Sequence, residues 1–322
     1  MKTWIDFDGA LGYAIPVVDS SDACEGMLIE GPQGWGEFSP PPGCHDSRAA
    51  RWLTAAIEAG TVGWPDPRRG RVLIAVTVPA VVADRARQIV IASGCSSAAV
   101  GVAGAAGTPA EDLDRLAAVR EVLGPAGAIR CDAAGGWSVE TALGMLPALD
   151  DAAGGLEFVV DPCRSVAENR ELRSRSGFRV GIHRAICGAP DPRVLDLRGA
   201  ADVAVLGAAA LGGVRRALRI AELIGLPCVV AGHPRSSIAT AADLALAGVL
   251  PDCGFAHEVG GVMMLAGDVV STARSLIPAD GWLPVAPMPA APDPGQMTRF
   301  DMHEPGRLAW WRGRLAAAQR HI

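Results

Sequence analysis

The chain has 322 residues, half of them hydrophobic, which suits one large domain with a sizeable core and a smaller one beside it. A formal net charge of −6, with basic residues that form no stripe, argues against a nucleic-acid partner. The longest uncharged run, residues 88–110, is too rich in Gly, Ser and Ala for a membrane span, and no charged-then-apolar leader opens the chain, so the expectation is a soluble, cytoplasmic protein with no membrane partner.

In chain order, residues 26–30 and 34–38 read as two strands joined by the turn Gly31-Pro32-Gln33-Gly34. Pro40, Pro41 and Pro42 make a loop, and residues 47–59 repeat apolar side chains at helical spacing. Residues 1–70 are thus read as a small α+β capping domain. Over 71–267, short β-rich apolar runs recur at 73–78, 98–102, 128–132, 156–160, 179–183, 202–206, 227–231 and 253–257, their starts 23 to 30 residues apart. Helical patterns at 109–123, 138–149, 165–174 and 213–224 lie between them. Eight strands alternating with helices predict an α/β fold with parallel pairing and a closed barrel. An open doubly wound sheet is the rival, and the Gly-rich phosphate turn it would want after its first strand is missing. Residues 268–322 are Pro-rich, end in a helix at 307–319 and are expected to return to the cap, with Trp310 and Trp311 packing there.

The eight cysteines are scattered without metal-ligand or redox spacing and read as reduced, mostly buried thiols. Of 29 basic residues 28 are arginine, and Lys2 is the sole lysine. Arginine stays protonated, so nothing after residue 2 can supply a lysine base.

The strings Leu28-Ile29-Glu30-Gly31-Pro32, Gly34-Trp35-Gly36-Glu37-Phe38, Thr77-Val78-Pro79-Ala80, Asp132-Ala133-x-Gly135-Gly136-Trp137 and Leu211-Gly212-Gly213 follow one another along nearly the whole chain. With a cap, a barrel and a returning tail, they resemble the o-succinylbenzoate synthase branch of the enolase superfamily, in its muconate-lactonizing subgroup. The resemblance implies a (β/α)7β modified TIM barrel with an α+β capping domain. It also implies a mechanism. A lysine on the second strand moves a proton next to a carboxylate, a lysine on the sixth faces it, and three carboxylates on strands three to five hold Mg²⁺ against the developing enediolate.

The corresponding positions here differ. The second strand reads Ala99-Val100-Gly101 where the family has Lys-x-Lys, and Gly207 stands in place of the sixth-strand lysine. Asp132 is kept, and Ala134 replaces the family asparagine. On the fourth strand Pro162 sets the register, so Val160 takes the position of the metal-binding glutamate and Asp161 lies beside it, on the opposite side of the strand. On the fifth, His183-Arg184-Ala185 replaces Asp-Glu-Ser. One carboxylate beside a histidine and an arginine is a poor Mg²⁺ site, so no metal and no cofactor is expected; a metal carried in by the substrate, or Zn²⁺ on Asp132 and His183, is the lesser alternative.

Barrel sites form at the C-terminal strand ends. By that rule Asp132, His183, His233 and His257 are the candidate catalytic groups, since a His–Asp pair can exchange protons near neutral pH. Arg184, Arg235, Asp161 and Glu258 are the candidate substrate-binding groups, because an arginine fork can hold a carboxylate or phosphate. A salt bridge inside the barrel mouth explains Arg184 and Arg235 equally well, and Asp132 can instead cap the turn before Gly135. Cys163 lies near the mouth with no legible base beside it. Cap loops at 17–23 and 39–45 would cover a small-molecule ligand there. Three readings follow: a repurposed, metal-independent acid–base enzyme catalysing elimination, isomerisation or cyclisation of a carbonyl- or carboxylate-bearing molecule; a non-catalytic binding or partner protein; and o-succinylbenzoate synthase itself, a dehydratase of menaquinone synthesis.

Overall fold

The computed structural model describes residues 5–103 and 107–322, so Lys2 lies outside the described residues. The first unit is a three-stranded antiparallel sheet, β1 (Leu11–Pro16), β2 (Ala23–Glu30) and β3 (Trp35–Phe38), followed by helix α1 (Asp46–Thr61). Glycine makes the close approach of sheet and helix possible. A Cβ at Gly36 would sit well inside contact distance of the Ala56 carbonyl on α1, and one at Gly31 would meet the Gly60 backbone. Strand β1 is not legible in the sequence, because its Gly12 and Pro16 interrupt a short run with little alternation.

The barrel runs β4 (Arg71–Leu73), β5 (Ala75–Val78), α2 (Ala83–Ser93), β6 (Ser97–Gly101), α3 (Pro109–Leu123), β7 (Ala128–Asp132), α4 (Val139–Ala153), β8 (Val159–Val160), α5 (Val166–Arg175), β9 (Val180–Ile182), α6 (Arg184–Gly188), β10 (Val203–Leu206), α7 (Ala208–Leu211), α8 (Val214–Ile224), β11 (Cys228–Val230) and α9 (Ser237–Val249). Local chemistry sets several starts. Thr108 and Glu111 cap α3 reciprocally with Pro109 at its first turn, and Ser165 and Glu168 do the same for α5. Helix α9 has no polar face: all thirteen of its residues are buried, so no amphipathic period marks it in the sequence.

Strands β5 to β11 pair in parallel as a seven-stranded curled sheet, in the order β11-β10-β9-β8-β7-β6-β5. The strand expected at 253–257 is not formed. Instead, two residues stitch the edges together: His257 bridges to Ile74 and Glu258 to Ala231. The Ala75 N–H donates to the His257 carbonyl at 2.8 Å, and the Glu258 N–H to the Val230 carbonyl at 2.8 Å. The eighth element is thus a short seam, with Gly254 at positive φ just before it.

After the barrel, β12 (Trp282–Pro284) pairs antiparallel with β4, and helices α10 (Pro294–Arg299) and α11 (Pro305–Gln319) follow. Trp311 on α11 packs edge to face on Phe38 of β3, with ring centroids 6.1 Å apart, and donates its indole N–H to Glu25. Arg314 donates to the carbonyls of Pro41, Pro42 and Cys44, which holds the proline loop in place. No described helix is long and apolar enough to cross a membrane.

Candidate active site

Alternate residues of each strand face the barrel lumen. Phe158, Val160, Val203, Val205 and Val229 form an apolar cluster there. The pairing places Gly101 beside Asp132, Asp132 beside Val160, and Val160 beside Gly181. Val160 is therefore a packing residue of the lumen. A side chain built at Gly207 would start 3.9 Å from the His183 ring, so that position also faces the mouth.

Asp132 folds back on its own turn. Its Oδ1 accepts the Ala134 N–H at 2.8 Å, with Ala134 at φ +50°. Burial pushes its carboxyl pKa up, while that hydrogen bond and the nearby His183 and Arg184 oppose the shift. Asp161 is committed more fully. Its backbone takes the left-handed φ of +41°, and its two oxygens accept the N–H groups of His183 at 3.1 Å and Arg184 at 2.8 Å. It clamps the start of α6, so it does not present a free carboxylate to substrate, contrary to the expectation from sequence.

His183 Nδ1 lies 3.1 Å from the Val205 carbonyl and 3.7 Å from Cys187 Sγ, which leaves Nε2 for other partners. Burial disfavours its charge, but Cys187, the Asp161 carboxylate and the Val205 carbonyl outweigh that and push it up to about 10. His233 stands edge to face with it, ring centroids 6.2 Å apart. Desolvation in the cleft, with Arg235, His183 and Arg184 around it, pushes His233 down to about 4. The exposed Arg184 side chain rests over Gly135 and has no acceptor among the described residues.

Two expected members are not free groups, although Glu258 stays within electrostatic reach of Asp132 and His183. His257 is 2 % exposed, its Nδ1 accepts the Val230 N–H at 3.1 Å, and burial with Arg69 and Arg130 nearby pushes it down to about 4; it closes the barrel seam. Glu258 is buried in an ion pair with Arg130, Nη1 to Oε1 3.1 Å, while Arg130 also reaches Glu157 at 2.7 Å and lies over the Phe158 ring. The salt bridge that the sequence offered for Arg184 and Arg235 is not formed by either among the described residues; it is Arg130 that carries one within the barrel. Cys163 is buried too, its thiol pushed up to about 11 by desolvation.

Three residues not singled out in the sequence shape the mouth. Arg130 forms its floor. Glu37, from the cap, accepts from Ser39 at 2.6 Å and from Ser236. Asp243 on α9 accepts the Ala208 N–H at 2.8 Å, at the start of α7. Asp243 carried a signal: it is the lone charged residue in an otherwise neutral stretch of thirteen. Arg235 is 6 % exposed and borders a cavity of about 740 Å³ between cap and barrel, with His233, Ser39, Trp52 and Trp311 among its walls.

Residues 81–292 match the enolase C-terminal domain-like family and residues 22–60 the enolase N-terminal domain-like family. The chain is 42 % identical over 296 residues to o-succinylbenzoate synthase of Thermobifida fusca, covering 92 % of this chain and 90 % of that one. It is 39 % identical over 292 residues to o-succinylbenzoate synthase of Mycobacterium leprae, covering 90 % and 84 %. The solved 2-chloromuconate cycloisomerase of Rhodococcus opacus superposes with a TM-score of 0.74 at 20 % identity, covering 93 % of this chain and 98 % of that one, and so shares the fold. The chain belongs to the enolase superfamily, among the o-succinylbenzoate synthase-like homologues.

Proposed function

We propose that the chain is an acid–base catalyst that acts on a carbonyl- or carboxylate-bearing small molecule by elimination, isomerisation or cyclisation, without lysine. The observation that carries this reading is the His183–His233 pair. The two rings are neighbours, yet their surroundings push their pKa values apart, to about 10 and about 4. Near pH 7 His183 is then the imidazolium, able to donate a proton to a leaving hydroxyl or a developing enolate oxygen. His233 is the neutral imidazole, able to accept one. Asp132 and Arg184 add a carboxylate and a cation at the same mouth.

Mg²⁺, which the family resemblance implies, prefers six hard oxygen ligands. Here Val160 belongs to the apolar lumen, Asp161 binds backbone N–H groups, and His183 Nδ1 faces a carbonyl. Among the described residues no group of three His, Cys, Asp or Glu could hold a metal ion. These residues do not fit Mg²⁺, and no step is routed through it.

A second reading, o-succinylbenzoate synthase activity proper, is favoured by the 38–42 % identity to synthases over nine-tenths of the chain. One assay separates the two: the dehydration substrate of that enzyme is supplied to wild type and His183→Ala, with Mg²⁺ and with chelator. Turnover that resists chelation and disappears in His183→Ala supports the acid–base reading. Mg²⁺-dependent turnover that survives His183→Ala replaces it with the second. Absence of turnover on this and related carboxylates leaves a non-catalytic binding protein.

A further inference from the structure

We propose that Cys228 and Cys253 are an oxidisable thiol pair at the N-terminal end of the barrel, which a peroxide converts into a disulfide that staples the barrel seam. The two lie 25 positions apart, a spacing with no redox signature of its own. The fold brings them together. Cys228 opens β11, so it sits at the N-terminal strand ends, on the face opposite the candidate active site. Cys253 lies in the loop that leads into the seam, and its thiol donates to the Cys228 carbonyl at 3.2 Å. Both line one cavity of about 390 Å³, and they stand within electrostatic reach of each other. Other thiols have different neighbours. Cys24 donates to the Pro234 carbonyl, Cys95 to the Ser93 carbonyl, and Cys187 faces His183.

The two thiols are not equivalent, and the difference sets the order of attack. Cys253 is half-buried, and Glu222 and Asp252 are exposed on the rim of the cavity, so a molecule as small as a peroxide can enter. Cys228 is 6 % exposed, and desolvation with Cys253 beside it pushes its thiol up to about 12. Cys253 therefore reacts first. Its thiolate attacks one peroxide oxygen, the O–O bond breaks, and the departing hydroxide takes up the thiol proton as water, leaving a sulfenic acid. The Cys228 sulfur then attacks Cys253 Sγ. The S–S bond forms, the S–O bond breaks, and the second hydroxide leaves with the Cys228 proton as water. Two thiols lose two electrons, and the peroxide gains them. Each thiol gives up only a weak hydrogen bond to a carbonyl, Cys228 to Leu226 and Cys253 to Cys228, both at 3.2 Å.

The position gives the bond a consequence. The barrel is closed by the seam residues His257 and Glu258. Just before them Phe255 packs edge to face on Phe158, ring centroids 5.3 Å apart, and Cys253 packs on the same luminal cluster. A bond from Cys253 to the first residue of β11 fixes the segment that closes the barrel. It also ties off the stretch of chain that holds α9, which restricts the unfolded chain.

The test treats the full, folded chain with hydrogen peroxide at neutral pH and needs no turnover. Intact mass should fall by two hydrogens, and peptide mapping without reductant should join the peptides of Cys228 and Cys253. The oxidised protein should melt about 3–6 °C higher than the reduced one, and dithiothreitol should reverse both changes. Cys253→Ser should show neither the link nor the rise. In Cys228→Ser, the sulfenic acid on Cys253 has no partner, so dimedone should trap it there. Should Cys228→Ser fail to fold, the order of attack is read in wild type instead, where brief treatment with N-ethylmaleimide should label Cys253 before Cys228 and prevent the link. No link in the folded wild type overturns the proposal, as does a link to any other cysteine. A link that forms only in denaturant also overturns it, and so does a melting temperature that stays level or falls on oxidation.

Discussion

His183 and His233 stand edge to face at 6.2 Å between ring centroids, one drawn toward its charged form against burial by Cys187, Asp161 and the Val205 carbonyl, the other held neutral by desolvation and by the cations around it. They lie 50 positions apart in the chain, on loops after different strands, and the curl of the sheet makes them neighbours.

For a reaction that uses His183 as acid and His233 as base, the rate should hold a broad plateau across neutral pH. It should decline as His233 is protonated toward about pH 4 and as His183 is deprotonated toward about pH 10. His233→Gln should remove the acidic limb together with most of the turnover. A pH–rate profile of wild type and variant checks this, and an acidic limb that survives in His233→Gln would assign the base elsewhere.

Asp161 holds two part-buried backbone N–H groups, so Asp161→Ala should destabilise the fold by about 1–3 kcal/mol and loosen α6. Asp161→Asn should cost less, because asparagine tolerates the left-handed backbone and keeps one acceptor. Urea unfolding of the two variants gives the ranking.

Arg130 joins Glu157 and Glu258 across the barrel floor. Removing one partner of a buried pair strands the others, so Arg130→Ala should cost about 3–5 kcal/mol, whereas Arg130→Met with Glu258→Gln should recover part of it. Denaturant titrations of the single and the double variant test this.

His257 links pH to stability. Its pKa in the folded chain, about 4, lies below the ordinary 6.5, so the unfolded chain takes up the proton first as the pH falls. The stabilisation is complete above about pH 6.5 and is lost as the pH drops through about 4, by up to about 3 kcal/mol. His257→Asn keeps an acceptor for the Val230 N–H and cannot titrate, so its stability should be flatter between pH 4 and 6.5. Unfolding free energies at four or five pH values decide it.

Much of the architecture was legible in the sequence. The run at 128–132 is a strand with those bounds, the helix at 109–123 likewise, and the inward position of Val160 followed from Pro162 and the alternation of strand side chains. Two elements escaped for opposite reasons. Helix α9 is buried on every side and shows no period, and the last barrel element is two seam residues with no strand length to detect. The site was legible as a list of residue types and misleading as a list of free groups: His183, His233 and Asp132 do gather at the mouth, while His257 seals a seam, Glu258 neutralises Arg130 and Asp161 caps a helix.

The sequence by itself determined the order of elements, the family strings and one chemical exclusion: with Lys2 as its sole lysine, no lysine can act at the strand ends. These are properties of local spacing and residue identity. Which charges are paired was decided by the tertiary structure alone. Glu258 meets Arg130 across 128 positions, and Arg235 meets no acceptor at all among the described residues, because barrel register and burial set those distances and no local pattern encodes them.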